Sequence, residues 1–206
     1  MAALEAVKQL YIFIAINHGT YDWWYFPFQL CSVPIYLCIL LPITRGRLRA
    51  AFLSFMATYT FISAAAALIF PEDFLRAGAP LVFHGFLWHG ILLFISLIII
   101  FSKAADMSAT GFKRATLLFL ALCIAALCIN IATEPLMASS SGIEHTYACM
   151  FYLNPYHISP QPIVSTIQKS TGIAFGLVLY VLSIIAAAGA FRLYIISSRA
   201  ARERVS

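Results

Sequence analysis

The stretch "LVFHGFLWHGILLFISLIIIF", residues 81–101, contains no Asp, Glu, Lys or Arg. An α-helix needs about 20 mostly apolar residues to cross roughly 30 Å of hydrocarbon, and this stretch has that length. It shows none of the alternation of apolar and polar residues that is typical of a membrane β-strand. Residues 81–101 therefore predict a transmembrane helix, and this helix carries two histidines, His84 and His89.

Four further apolar runs resemble it, at about 26–43, 49–70, 114–133 and 173–196. The 206-residue chain is 62% hydrophobic and only 10% charged, a composition far from that of soluble globular proteins. We predict a single all-α domain over residues 1–206, a polytopic membrane helix bundle with five transmembrane helices. A shorter run at 7–16, "VKQLYIFIAI", predicts a retained N-terminal helix at the interface, with a sixth span as the alternative.

The charges alternate between the two sides of the predicted membrane. One side carries nearly all the basic residues, and the other is acidic. The basic side has Arg45, Arg47, Arg49, Lys103, Lys113, Arg114, Arg192, Arg199, Arg202 and Arg204 with Asp106 and Glu203; the other has Glu5, Asp22, Glu72, Asp73, Glu134 and Glu144 with Lys8, Arg76 and Lys169. This positive-inside pattern predicts a C-terminus on the cytoplasmic face of a multipass protein. No separate basic stripe exists, so nucleic acid is not an expected partner.

The five cysteines do not have the spacing of a disulfide framework or of a zinc site. Cys38, Cys123 and Cys128 lie in predicted spans, where a free cysteine behaves as a small hydrophobic residue. Histidines at suitable depth could instead ligate haem, but a haem bundle usually pairs histidines from two helices. We therefore expect no metal and no cofactor.

A long outer loop follows the fourth predicted span, at residues 134–172. Loops of this length are usually functional or disordered. Its middle, "YACMFYLNPYHI" at 147–158, is too aromatic for disorder. It predicts either a lid over a site or an aromatic anchor at the membrane interface.

Cys31 is the first candidate for chemistry, because it lies in "PFQLCSVPIYLCILLP", residues 27–42, between Pro27 and Pro34. If these residues are helical, Cys31 lies roughly 7–8 Å below the outer boundary, between His84 at about 5 Å and His89 at about 12 Å. A histidine within hydrogen-bond reach can convert a thiol to the reactive thiolate. His84 and His89 are about 140° apart on a helix, so we expect one of them, His89, to meet Cys31.

The residues around Cys31 fit this interpretation. Each proline removes a backbone donor, and we expect Pro27 and Pro34 to kink the helix and free polar groups near the thiol. The amide of Gln29 could bind a carbonyl oxygen or orient a ligand. Alternatively, a histidine in a span is a satisfied interhelical hydrogen-bond partner, and a cysteine in a span is a packing residue.

The motifs "FPFQLCSVPIYLCILLP" and "IFPEDFLRAGAPLVFHGFLWHGILLF" together resemble the YwaF family of bacterial integral membrane proteins. That family carries a proline and a polar residue before a cysteine on one helix and a histidine on a later one. Its relatives include a vertebrate multipass acyltransferase that builds ether phospholipids through a cysteine acyl intermediate. The resemblance implies that Cys31 is the nucleophile, that His89 is its histidine and that Gln29 is the polar residue of the signature.

These observations lead to two hypotheses of different classes. In the first, the chain is a membrane-embedded lipid acyltransferase or acyl hydrolase that uses Cys31 and His89 near the outer leaflet, with Gln29 and His84 binding substrate. In the second, it is a non-catalytic helical subunit or lipid-binding scaffold of a larger membrane complex. Membrane lipids are expected partners in both.

Overall fold

The computed structural model describes residues 1–75, 78–138 and 145–203, and this part of the chain contains helices and no strands. Arg76, Glu144 and Arg204 of the predicted charge pattern lie outside the described residues. The helices are α1 Ala2–Tyr11, α2 Val33–Leu40, α3 Gly46–Ile69, α4 Glu72–Leu75, α5 Ala79–Phe101, α6 Ala109–Ala138, α7 Pro162–Thr171 and α8 Ile173–Glu203.

Four of the predicted spans are confirmed as helices long and apolar enough to cross a membrane. In the described residues they are α3, α5, a segment of α6 (Ala109–Met137) and a segment of α8 (Ile173–Arg202). Each meets the length that roughly 30 Å of hydrocarbon requires. The chain is thus a multipass integral membrane protein built from helices.

The fifth predicted span, residues 26–43, is not confirmed, because its helix α2 covers only Val33–Leu40. Residues 29–32 form a bend and a turn instead of a kinked helix. Pro34 lies in the first turn of α2, where its missing N–H costs no helical hydrogen bond. The carbonyl of Pro27 accepts a hydrogen bond from the Tyr36 hydroxyl at 2.6 Å. The depth of Cys31 calculated from a helical rise therefore does not apply.

Helix α1 confirms the predicted N-terminal helix and continues through a π-helical turn, Ile12–Ile16. Its apolar side chains point outward: Val7, Leu10 and Ile14 are 58–64% exposed. Glu5, by contrast, is buried at 6% exposure. This is the reverse of a helix on a water-soluble protein, and it suits a helix with lipid outside and a polar interior. The position of α1 at the interface stays a prediction, with a sixth span as the alternative.

Helix α3 is the centre of the bundle, since it packs against α5, α6 and α8. A π-helical turn, Met56–Thr60, interrupts α3, and all five of its residues are buried. The Ser96 hydroxyl of α5 donates to the Met56 carbonyl at 2.8 Å, which satisfies a carbonyl at this irregular turn. Tyr59 stacks on Phe55 and Phe119, with ring centroids 5.3 and 4.7 Å away.

The long loop after α6 turns back into the bundle. Residues Ala148 to Phe151 are all at most 2% exposed, and a 3₁₀ turn covers Met150–Tyr152. Phe151 and Tyr152 both adopt positive φ, at 55° and 57°. Residues 148–151 are therefore not a lipid-facing aromatic anchor, and a lid over a site stays a prediction.

Candidate functional site

The residues predicted for chemistry line one cavity of about 350 Å³. Its wall combines α1, the turn before α2, α3, α5, α8 and the inserted loop. Cys31, Gln29, His84 and His89 all contribute to this wall. The structure thus brings together every site residue that the sequence predicted. The lining also includes Glu5, Lys8, Trp24, Tyr25, Ile62, Ser63, Ala66, Trp88, Phe151, Gln161, Tyr180 and Ile184.

Helix α5 presents a broad face to the cavity. His84 and His89 are about 140° apart, yet both reach the wall because they flank a stripe that contains Gly85 and Trp88. Both histidines therefore lie on the same wall as Cys31. Trp88 lies between the two histidines: its indole Nε1 donates to the Cys31 carbonyl at 3.1 Å, and its ring stacks with His84 at a centroid distance of 5.5 Å.

His89 is held in a defined tautomer. Its Nδ1 lies 2.7 Å from the Gly85 carbonyl oxygen, one turn earlier on α5. Because a carbonyl only accepts, Nδ1 carries the proton and the basic lone pair of the neutral ring is on Nε2. His89 is 8% exposed, so its orientation is also fixed by packing. A backbone carbonyl therefore orients this histidine, as a carboxylate does in many catalytic sites.

Cys31 lies in the turn that leads into α2, two residues before the helix begins. It is a free, half-buried thiol, and Ser32 beside it is 4% exposed. The hydrogen bond from Trp88 fixes the Cys31 backbone against α5. The chain thus holds the cysteine by its main chain and leaves its side chain on the cavity wall.

Gln29 has a structural role that the sequence did not reveal. Its Nε2 donates to the Cys149 carbonyl at 3.0 Å, and its Oε1 accepts from the Phe151 N–H at 2.8 Å. The Gln29 amide thus connects the Cys31 turn to the inserted loop. Substrate binding by Gln29 stays a prediction.

A polar pair from α1 also faces the cavity, and sequence reasoning missed it. Lys8 Nζ lies 2.7 Å from Glu5 Oε1, and the two side chains are only 15% and 8% exposed. Gln9 Nε2 donates to the same Glu5 oxygen at 2.8 Å. The i, i+3 spacing of Glu5 and Lys8 is visible in the sequence, but such a pair usually lies on a solvated helix face.

Two histidine–carboxylate pairs tie the loop to the rest of the chain. His145 Nδ1 is 2.8 Å from Asp22 Oδ2, and the His145 ring stacks on Trp24 with centroids 4.4 Å apart. His157 Nε2 is 2.6 Å from Glu134 Oε1 at the end of α6. These contacts fix the loop at two points, against the segment before α2 and against the end of α6.

The fold and the cavity define a multipass helical membrane protein with a cysteine and two histidines on one internal wall. The chain belongs to the TMEM164 family, whose sequence profile matches residues 1–201. This match covers nearly the whole chain and supports a multipass membrane family; it does not confirm the YwaF-type resemblance. Comparison with curated protein sequences and with solved structures returns no match.

Proposed function

We propose that this protein is a membrane-embedded lipid acyltransferase or acyl hydrolase with Cys31 as the nucleophile and His89 as the general base. The observation that carries the proposal is their shared cavity, in which the Gly85 carbonyl sets the His89 tautomer. A thiol in an apolar site needs a base to become a nucleophile, and Nε2 of this tautomer is such a base.

The reaction would proceed in two steps. His89 Nε2 takes the Cys31 proton, and the sulfur attacks the ester carbonyl carbon of a lipid. The carbon–oxygen bond breaks, the leaving alkoxide receives the proton from His89, and a thioester remains on Cys31. In the second step, an alcohol or water gives its proton to His89 and attacks the thioester carbon. The carbon–sulfur bond then breaks and Cys31 recovers its proton.

The wall of the cavity suits an acylated substrate. Ile62 and Ala66 of α3 and Ile184 of α8 supply apolar surface, while the polar groups come from α1, α5 and the Cys31 turn. Small-molecule sites typically combine such an apolar lining with a few polar groups, in a volume of about 300–1,000 Å³. His84, on the same wall, is proposed to contact the substrate.

A non-catalytic, lipid-binding scaffold is the competing proposal. The observation that favours it is the Gln29 amide, the expected oxyanion donor, which is engaged with the loop backbone. Under both proposals, the Gln29 side chain links the Cys31 turn to the loop. The two proposals differ in whether a covalent intermediate forms on Cys31.

The test is to trap that intermediate. Purified protein is incubated with a radiolabelled diacyl phospholipid, quenched in acid and analysed for a hydroxylamine-sensitive acyl group. We expect the label on Cys31 and its loss in Cys31→Ala. Cys38→Ala is the matched control, because Cys38 is absent from the cavity wall in the described part of the chain. Label that persists in Cys31→Ala would exclude Cys31 as the nucleophile.

A further inference from the structure

The cavity wall holds two buried polar atoms that make no hydrogen bond in the described part of the chain. They are Oε2 of Glu5 and Nε2 of His84. Both residues line the same cavity. A buried polar atom without a partner costs free energy, so native proteins usually satisfy such atoms with protein, water or ligand.

Contacts with neighbouring side chains fix the orientation of both Glu5 and His84. The other oxygen of Glu5 accepts from both Lys8 and Gln9, which fixes the carboxylate plane. The His84 ring is fixed by stacking on Trp88, with an interplanar angle of 16°. Glu5 is 6% exposed, and Trp88 is 3% exposed. Neither group belongs to the Cys31–His89 pair.

We propose that Glu5 and His84 form a subsite for a hydroxyl group of the ligand. The hydroxyl would donate its hydrogen bond to Glu5 Oε2 and accept one from a proton on His84 Nε2. One hydroxyl therefore satisfies both atoms, since it is a donor and an acceptor at once. An ammonium group could satisfy Glu5 but could not accept from His84, and a phosphate oxygen would be repelled by the Glu5 carboxylate.

A role of this subsite in catalysis rests on the proposed function. If a thioester forms on Cys31, an alcohol bound in this cavity competes with water for the second step. As its oxygen attacks the thioester carbon, its hydroxyl hydrogen turns from Glu5 to His89 Nε2, which takes the proton. Orientation of an alcohol in the cavity favours transfer over hydrolysis, because a held nucleophile reacts far faster than one in solution. Glu5 and His84 are in this view specificity-determining residues, which select an alcohol as the acyl acceptor.

The test measures ligand binding through protection of Cys31. A monoacyl glycerophospholipid with one free hydroxyl is compared with its deoxy analogue, in which hydrogen replaces that hydroxyl. Protection of Cys31 from maleimide is quantified by peptide mass spectrometry. We expect the hydroxyl lipid to protect at about tenfold lower concentration, as a hydrogen bond to a charged group predicts.

Two variants identify the residues involved. Glu5→Gln places an amide where the free carboxylate oxygen was, and His84→Phe keeps the stacking on Trp88 but removes the ring nitrogens. Each should reduce the preference for the hydroxyl lipid to less than about threefold. Glu72→Gln is the matched control, because Glu72 is exposed and absent from the cavity wall; it should keep the full preference.

Equal protection by the two lipids in the unaltered protein would overturn the subsite, as would a full preference in both variants. If Glu5→Gln does not fold, the result with His84→Phe decides. A preference that depends on these residues, together with no thioester on Cys31, would refute acyl transfer and leave the subsite standing.

Discussion

At the scale of single residues, two amide side chains hold the inserted loop. Asn130 of α6 donates to the Met150 carbonyl at 3.1 Å and accepts from the Met150 N–H at 2.6 Å. Gln29 makes the equivalent pair with Cys149 and Phe151. Irregular backbone at membrane depth is tolerated only where protein satisfies its polar groups. These two amides do so on both sides of the turn.

Asn130→Ala should release this turn. Both Met150 backbone groups would lose their partner in a fully buried place, which costs about 1–3 kcal/mol for each unsatisfied group. Cys149 is 0% exposed, so its alkylation by maleimide in folded protein measures the opening directly. We expect Cys149 to become reactive in Asn130→Ala.

Asn17→Ala is the control for this substitution. Asn17 is also buried, at 6% exposure, but its amide nitrogen makes no hydrogen bond in the described part of the chain. Cys149 should stay unreactive in that variant. Unreactive Cys149 in Asn130→Ala as well would mean that packing, and not the amide, holds the turn.

At the scale of elements, hydrogen bonds at Asp106 hold the connection between α5 and α6 in place. The Asp106 carboxylate accepts from the Ser108 N–H at 3.0 Å, and the hydrogen bonds from Ser108, with Arg114 nearby, lower the pKa of Asp106. Ser54 of α3 donates to the Asp106 carbonyl at 2.9 Å. Gly111, in the first turn of α6, lies directly against this residue.

Gly111→Ala should therefore destabilise the bundle. A methyl group at this position would overlap the backbone oxygen of Asp106, which cannot swing aside like the end of a flexible side chain. Overpacking of this kind typically costs about 1–3 kcal/mol. The measurement is the thermal unfolding temperature of the purified protein in detergent, which should fall.

Gly90→Ala is the matched control in another helix. Apart from the adjacent residues and the backbone of its own helix, nothing lies within 4 Å of a methyl group built at Gly90. Alanine is also the better helix former, so this variant should unfold at the same temperature or slightly higher. Equal unfolding temperatures for Gly111→Ala and the unaltered protein would contradict this prediction. They would show that the backbone at Asp106 moves to accept the methyl group without loss of stability.

At the scale of the whole molecule, two arginines of α8 bind backbone carbonyls at and beyond the end of α5. Arg192 Nε donates to the Met107 carbonyl at 2.8 Å, and Arg199 Nη2 donates to the Ile100 carbonyl at 2.6 Å. These arginines secure the ends of the helices on one side of the bundle. The positive-inside pattern then predicts that this side faces the cytoplasm.

Two matched serine substitutions test that orientation. In a chain without its native cysteines, Ser102→Cys and Ser170→Cys place a thiol at exposed positions on opposite predicted sides. A membrane-impermeant maleimide applied to intact cells should label Ser170→Cys at once and Ser102→Cys only after permeabilisation. The reverse order of labelling would place the C-terminus outside.

The sequence predicted four spans well because long apolar helices in lipid have few alternatives. A span at residues 26–43 is not confirmed, because hydropathy alone cannot distinguish a span from an irregular segment that Gln29 ties to a distant loop. The sequence singled out Cys31 and His89, which line the same cavity, because ionisable groups in predicted spans are conspicuous. It missed Glu5, because no pattern shows that the polar face of α1 points inward.

The measurement that tests the central claim most directly is the alkylation rate of Cys31 at neutral pH. If His89 is the base, His89→Ala should slow alkylation by about an order of magnitude, because the Cys31 thiol loses its proton acceptor and less of it is present as thiolate. His84→Ala should retain most of the rate and most of the turnover, whereas His89→Ala should eliminate turnover. The reverse result would make His84 the base. An unchanged rate in both variants would contradict the account, since Cys31 would then have no histidine partner.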